Sequence, residues 1–254
     1  IAAVGLIDDH VALSAKWRLL VQTFAAVTAV WMLGGVGLIS FGDTLIQSGV
    51  AGDVFAVLFL IWLTNLFNFM DGIDGIAGLE ATTVAFSTGA LLWGSGYATL
   101  AGCLAAASLG FLAWNWPPAK IFMGDVGSGF LGFVFGTLAI TTHANGALDI
   151  WAWLVVLGVF VADATVTLIR RVMRGERFYE AHRSHAYQRA ARRLGSHKAV
   201  TLAVAGINIL WLLPIAYLIA SGRIAGVYGF LVAYAPLLWL AVANRAGCGD
   251  DASD

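Results

Sequence analysis

Eight apolar runs, at about 19–39, 54–70, 76–93, 97–116, 127–143, 148–169, 199–220 and 224–243, follow one another with short polar connections between them. A bilayer core about 30 Å thick needs roughly 20 apolar residues per helical crossing. Within lipid, each backbone polar group must find its partner inside the element. The runs therefore exclude a soluble fold and predict an all-α, polytopic transmembrane helical bundle of eight complete spans, with the tail of an earlier span at 1–7. Composition agrees: 60% of residues are apolar, 11% are charged, and mean hydropathy is +0.84. One integral-membrane domain is expected over 1–247, carrying a basic loop at 170–198 and ending in a polar tail at 248–254. With two cysteines, one in an apolar run and one in the tail, no disulfide framework or sulfur-ligated metal cluster is expected.

Alternating the spans sorts the charges. Of the 14 Lys and Arg residues, all but Arg223 fall on one side, which the positive-inside rule makes cytoplasmic. Asp8, Asp9, Asp71, Asp74, Asp125, His182 and His185 fall on that same side, so loops distant in sequence converge on one membrane face.

The stretch NLFNFMDGIDGIAGLE places Asp71 and Asp74 three residues apart, on one side of a helical turn. Gly72, Gly75 and Gly78 leave a strip where a helix or ligand can approach the backbone. Small residues on 97–116, among them Ala101, Gly102, Ala106 and Gly110, and Gly132 with Gly136, suit close helix packing. Asp125, in FMGDVGSG, is either a metal ligand or the cap of the next helix. Asp8 and Asp9 cannot point the same way along a regular helix. Either one faces a metal and the other a basic neighbour such as Lys16 or Arg18, or the pair simply marks a membrane boundary. Carboxylates grouped with an arginine-rich histidine loop suggest handling of magnesium and phosphates. His182 and His185 suit hydrogen bonding to phosphate oxygens better than magnesium ligation. Arg189, Arg192 and Arg193 read as topology signals, and Asp163 as structural or catalytic.

The order DD, NxxDGxDGxAG, NxxPAxxFMGDxGS and HRSHAYQR resembles the polyprenyl-phosphate N-acetylhexosamine-1-phosphate transferases, glycosyl transferase family 4, and most closely the O-antigen-initiating branch. The resemblance covers essentially the whole chain. It implies transfer of a sugar-1-phosphate from a UDP-N-acetylhexosamine to undecaprenyl phosphate at the cytoplasmic face of the bacterial inner membrane, with release of UMP. It further implies Mg2+ (or Mn2+) held by Asp125 and Asp71, and catalytic roles for Asp8, Asp9, Asp71, Asp74, His182 and His185. Asn68, Asn115 and Phe122 would line the nucleotide pocket, with Lys16 and Arg183 as further substrate-binding candidates. Membrane lipids are expected partners, nucleic acid is not, and a homodimer is left open. The departures, no lysine soon after Asp9 and HRSH in place of consecutive histidines, argue against the muramoyl-pentapeptide branch. The competing reading is a cation-coupled transporter.

Overall fold

A computed structural model describes residues 1–11, 13–41, 44–47, 49–176 and 183–249. The elements run α1 (Ala2–Val11), α2 (Ala15–Leu33), a hairpin of β1 (Leu38–Phe41) and β2 (Thr44–Gln47), α3 (Gly49–Met70), α4 (Ile76–Leu91), α5 (Gly96–Asn115) and α6 (Gly124–Ala144). They continue as α7 (Ile150–Val156), α8 (Gly158–Met173), α9 (Ala186–Leu194), α10 (His197–Ile207), a π-helical turn (Asn208–Leu212), α11 (Leu213–Ala220) and α12 (Gly226–Ala243). The protein is a polytopic helical membrane protein.

All eight expected crossings have helical counterparts, but not equally. Among the described residues, five helices are long and apolar enough to cross a membrane alone: α3, α5, α6, the α10–α11 rod and α12; counting the bent α7–α8 pair makes six. Neither α2 nor α4 meets that measure. The run at 19–39 ends early as a helix because Gly34 and Gly35 turn to positive φ (77° and 87°), and the chain then enters the antiparallel hairpin, where only a connector was expected. α4 has 16 residues and rises about 24 Å. It is a central pillar, with residues from Ile76 to Thr88 largely buried.

The run at 148–169 is not one straight span: α7 and α8 meet at an angle of 79°. Such a break frees backbone groups that must be satisfied inside lipid, and the Tyr234 hydroxyl donates to the Leu154 carbonyl at 2.8 Å. The π-helical turn lies just before Pro214, whose ring and missing N–H would otherwise disrupt a regular helix.

The core is built on close α3–α6 and α4–α5 packing. A side chain at Gly132 would run into the Leu63 carbonyl, and one at Gly78 would meet Phe111 at 3.3 Å. Phe67 packs against Phe135 and Phe160 with ring centroids 5.5 and 5.3 Å apart. The small face of α5 is divided: Ala101 is buried against Gly89, whereas Gly102, Ala106 and Gly110 are exposed, with open space where a β-carbon would stand at Gly102 and Gly110. Gly132→Leu is therefore expected to destabilise the bundle by about 1–3 kcal/mol or more through overpacking. Gly102→Leu, with nothing within 4 Å of the added carbon, should leave thermal unfolding in detergent unchanged.

Candidate functional site

Two adjacent carboxylates in the last turn of α1 do different work. The Asp9 carboxylate accepts from the Asp125 and Val126 amides at 2.9 and 3.3 Å. It thereby caps the start of α6 from another helix, where orphan amides favour an anion. Gly124, at φ +64°, leaves room for it; a β-carbon there would sit 2.7 Å from Asp9 Oδ2. Asp8 faces the other way, accepting from the Leu13 amide at 2.6 Å and from Arg18 at 2.8 Å. Burial pushes its carboxyl up, but hydrogen bonds from Asp125, Arg18 and Leu13 hold it below the ordinary carboxylate value. Arg18 also reaches Asp125 Oδ2 at 3.4 Å.

At the end of α3, Asn68 Nδ2 donates to Asp125 Oδ1 at 2.5 Å and lies 3.3 Å from the Ser128 hydroxyl. Asp71 follows the helix end. Among the described residues it accepts no hydrogen bond, and burial, together with the negative charge of Asp125, raises its carboxyl to about 7. Asp71 and Asp125 face a common cleft of about 350 Å³, together with Asn68, Asp74, Phe122 and His197. The Phe122 ring is 78% exposed. Asn115 lines the cleft too, but its amide is spent on the frame: it accepts from the Gly75 amide at 3.0 Å and donates to the Ile121 carbonyl at 2.8 Å. Asp74 is likewise engaged, accepting from the Ala119 amide at 3.1 Å and lying 3.5 Å from His197 Nδ1. Its carbonyl accepts from the Thr201 hydroxyl at 3.1 Å.

A second cleft of about 820 Å³ adjoins the first through Asn68, Asp71, Gly72, Ile73 and His197. Its other lining includes the basic and polar side chains of Arg18, Arg183, His185, Gln188 and Arg192, beside Phe69 and Ala191. The wall is held by Asp163 on α8, which accepts from the Ala186 and Tyr187 amides, both at 2.9 Å, and from Thr167 at 3.1 Å. His185 Nδ1 lies 3.2 Å from the same carboxylate and is 1% exposed. Asp163 thus caps α9 and fixes the histidine ring together. α9 then docks on the DGIDG turn. Tyr187 donates to the Phe69 carbonyl at 3.1 Å, and a side chain at Gly72 would collide with Tyr187 and Gln188. Burial, then the charges of Asp163 and Asp71, push the Tyr187 phenol well above its ordinary value.

The arginines expected to be topology signals have specific partners. Arg189 donates to the Cys248 carbonyl at 3.2 Å, Arg192 to the Arg183 carbonyl at 3.0 Å, and Arg193 to Asn244 Oδ1 at 2.8 Å. Arg170 and Arg174 donate to the Ala246 and Gly247 carbonyls, while the Gly247 amide donates to the Ser184 carbonyl at 2.7 Å. The segment after α12 is thereby tied to the loop that carries His185.

Of the residues singled out from sequence, Asp8, Asp9, Asn68, Asp71, Asp74, Asn115, Phe122, Asp125, Arg183 and His185 are brought to this one end of the bundle. Lys16 lies at the same end but is exposed on α2 and lines neither cleft; Arg18, two residues further on, takes the inward place. His182 lies outside the described residues. Arg18, expected from sequence as one possible neighbour of the acidic pair, takes that place, whereas no role was expected for Gln188, within HRSHAYQR, or for His197; only the convergence of α9 and α10 on the cleft reveals them. Among the described residues no three His, Cys, Asp or Glu side chains form a ready metal cage. The donor set that could hold a cation is Asp71 with Asp125, two hard-oxygen carboxylates.

The family model described as "Glycosyl transferase family 4" matches residues 1–143. The chain belongs to this family. The matched part of this family 4 member contains the acidic pair, the DGIDG turn and Asp125; the Arg183–His185 wall lies beyond it. It is 32% identical over 223 residues to a probable undecaprenyl-phosphate N-acetylglucosaminyl 1-phosphate transferase of Bacillus subtilis, covering 83% of this chain and 61% of that protein. It is 31% identical over 287 residues to a decaprenyl-phosphate N-acetylglucosaminephosphotransferase of Mycolicibacterium smegmatis, covering 97% and 68% respectively. The protein of that name in Mycobacterium tuberculosis H37Rv is 31% identical over 255 residues, covering 87% and 61%. The chain thus spans about three fifths to two thirds of the length of these relatives.

Asp163→Ala removes the cap of α9 and the partner of His185 at once. It is expected to lower stability by about 3 kcal/mol, the scale of breaking a buried charged hydrogen-bond set. Thermal unfolding checks this, and a change below about 1 kcal/mol would show that the His185 wall does not depend on Asp163.

Proposed function

We propose that this protein transfers an N-acetylhexosamine-1-phosphate, N-acetylglucosamine-1-phosphate by the relatives' names, from its UDP-sugar to undecaprenyl phosphate at the cytoplasmic face of the bacterial inner membrane. The product would start O-antigen or a related cell-envelope polysaccharide. The observation that carries this reading is the shared border of the two clefts. Asp71 stands between an acidic wall containing Asp125 and a basic wall containing Arg183, His185, Arg192 and His197. A nucleoside diphosphate sugar needs both: a divalent cation on oxygen ligands for the diphosphate, and donors for the phosphate oxygens left over.

In the reaction, an oxygen of the lipid phosphate attacks the sugar-bearing phosphorus, and the bond between that phosphorus and the bridging oxygen breaks. UMP leaves with the electron pair. A lipid phosphate monoester is largely ionised near neutrality, its second pKa being about 6, so it needs no strong base. A single displacement is therefore favoured over an aspartyl-phosphate intermediate. Asp71 and Asp125 would hold Mg2+ (or Mn2+), which when bound neutralises diphosphate charge. This fits the donor set: magnesium commonly takes one or two carboxylates and fills its other positions with water and phosphate.

The remaining roles belong to the chain. Arg183 and Arg192 bind phosphate oxygens, His185 donates from a ring fixed by Asp163, and the exposed Phe122 ring offers a face for the base. Asp9 sets the position of Asp125 by capping α6, and Asp8 orients Arg18. The transporter reading lacks support, because these carboxylates gather at one end of the bundle and not at mid-membrane. Incubation of the full-length protein with undecaprenyl phosphate, Mg2+ and UDP-sugars should release UMP. Chelation should abolish release and Mg2+ restore it. Asp125→Ala and Asp71→Ala should each cut turnover by about a hundredfold or more while the protein remains folded. Arg183→Ala should raise the KM for the UDP-sugar by about tenfold, one charge-assisted hydrogen bond. Wild-type turnover in Asp71→Ala would overturn the assignment.

A further inference from the structure

One acidic side chain has no part in the reaction above. Glu80 lies in α4, a turn and a half beyond Asp74, and is 0% exposed among apolar helices. Its Oε2 accepts from Asn208 Nδ2 at 2.7 Å, and the same Nδ2 lies 2.8 Å from the Thr83 hydroxyl oxygen. Two buried acceptors on these two residues, Glu80 Oε1 and Asn208 Oδ1, have no hydrogen-bond partner among the described residues. The nearby donors are already spent. The Thr83 hydroxyl donates to backbone carbonyls of its own helix at 3.0 and 3.1 Å, and the Tyr234 phenol donates to the Leu154 carbonyl. No Lys, Arg or His is paired with Glu80 among the described residues.

An ionised carboxylate enclosed this way would be an uncompensated charge beside two orphan acceptors, which is strongly unfavourable. A proton on Oε1 removes the charge and converts one orphan into a donor for the other, as in a cyclic pair of a carboxylic acid with an amide. We propose that Glu80 is held as a neutral carboxylic acid paired with Asn208, and that this pair is a positioning clasp for the site. Asn208 opens the π-helical turn at the end of α10. π-Turns inside α-helices are frequent at functional sites. The same two helices also meet at the cleft, where Asp74, just before α4, contacts His197 and Thr201 of α10. α4 and α10 are thus fastened twice, at the cleft through Asp74 and within the bundle through Glu80. The inner fastening fixes the separation at which Asp74 and His197 face the clefts.

The test uses the full protein in membranes and reads the C=O stretch of a protonated carboxylic acid by infrared difference spectroscopy, with the Glu80→Gln variant as reference. A band present at neutral pH in the wild type and absent from E80Q is expected. Its absence from the wild type would overturn the neutral acid. E80Q replaces the acid by an amide that both accepts from Asn208 and donates to it, so turnover within about twofold of wild type is expected. Glu80→Ala leaves Asn208 unpaired and should lower kcat by about tenfold, the rate equivalent of one lost buried hydrogen bond. E80Q as impaired as E80A would overturn the clasp, because it would mean that the ionised form is required. The turnover arm rests on the transferase reading, whereas the infrared arm does not; failure of that reading would show as a wild type that releases no UMP.

Discussion

Carboxylates gathered at the end of a lipid-embedded bundle must each find a donor, and this requirement organises the structure. Asp9 takes two amides of α6, Asp8 takes Arg18 and the Leu13 amide, Asp74 takes the Ala119 amide, and Asp125 takes Asn68. Asp71 is the exception among them, accepting no hydrogen bond from the described residues. It is also the carboxylate shared by both clefts. The frame therefore satisfies the surrounding charges and leaves one at the border, where a cation and a diphosphate would supply what the protein does not.

The scaffold serves that arrangement through a few departures from regularity. The break between α7 and α8 turns the chain so that Asp163 meets the start of α9. α9 then lies across the DGIDG turn, which only Gly72 allows. Arginines of α8 and α9 hold the chain after α12 by its carbonyls, and that segment returns a hydrogen bond to Ser184, next to His185. Thus a histidine on a long polar connection acquires a fixed ring. The fixing residues lie on α8, α9 and the segment after the final helix.

Much of this was readable from sequence, and the rest failed for physical reasons. Hydropathy located the apolar helices of the bundle but not α9, which packs against them from within the stretch 170–198 expected as a basic loop, and positive-inside sorting brought the acidic motifs to one face, as the clefts bear out. Hydropathy cannot distinguish a straight span from a bent one, since α7 and α8 together read as one apolar run; nor does it register that Gly34 and Gly35 stop α2 or that a hairpin follows. Spacing rules place residues on a face but do not choose between neighbours. Arg18 therefore occupies the place to which Lys16 was also a candidate, and His197 gains a role only because α10 starts beside Asp74. The outward half of α5's small face shows the same limit: small residues permit close packing without requiring it. Glu80 escaped notice because its partner lies 128 residues away.

The central claim is that Asp71 and Asp125 share one divalent cation with the diphosphate of a nucleotide sugar. Anomalous scattering from Mn2+ in crystals of the full-length protein grown with a UDP-sugar measures this directly. The expected result is a single peak within bonding distance of both carboxylates and of a phosphate oxygen. A peak held by His185 or by the acidic pair of α1, with Asp71 and Asp125 bare, would contradict it.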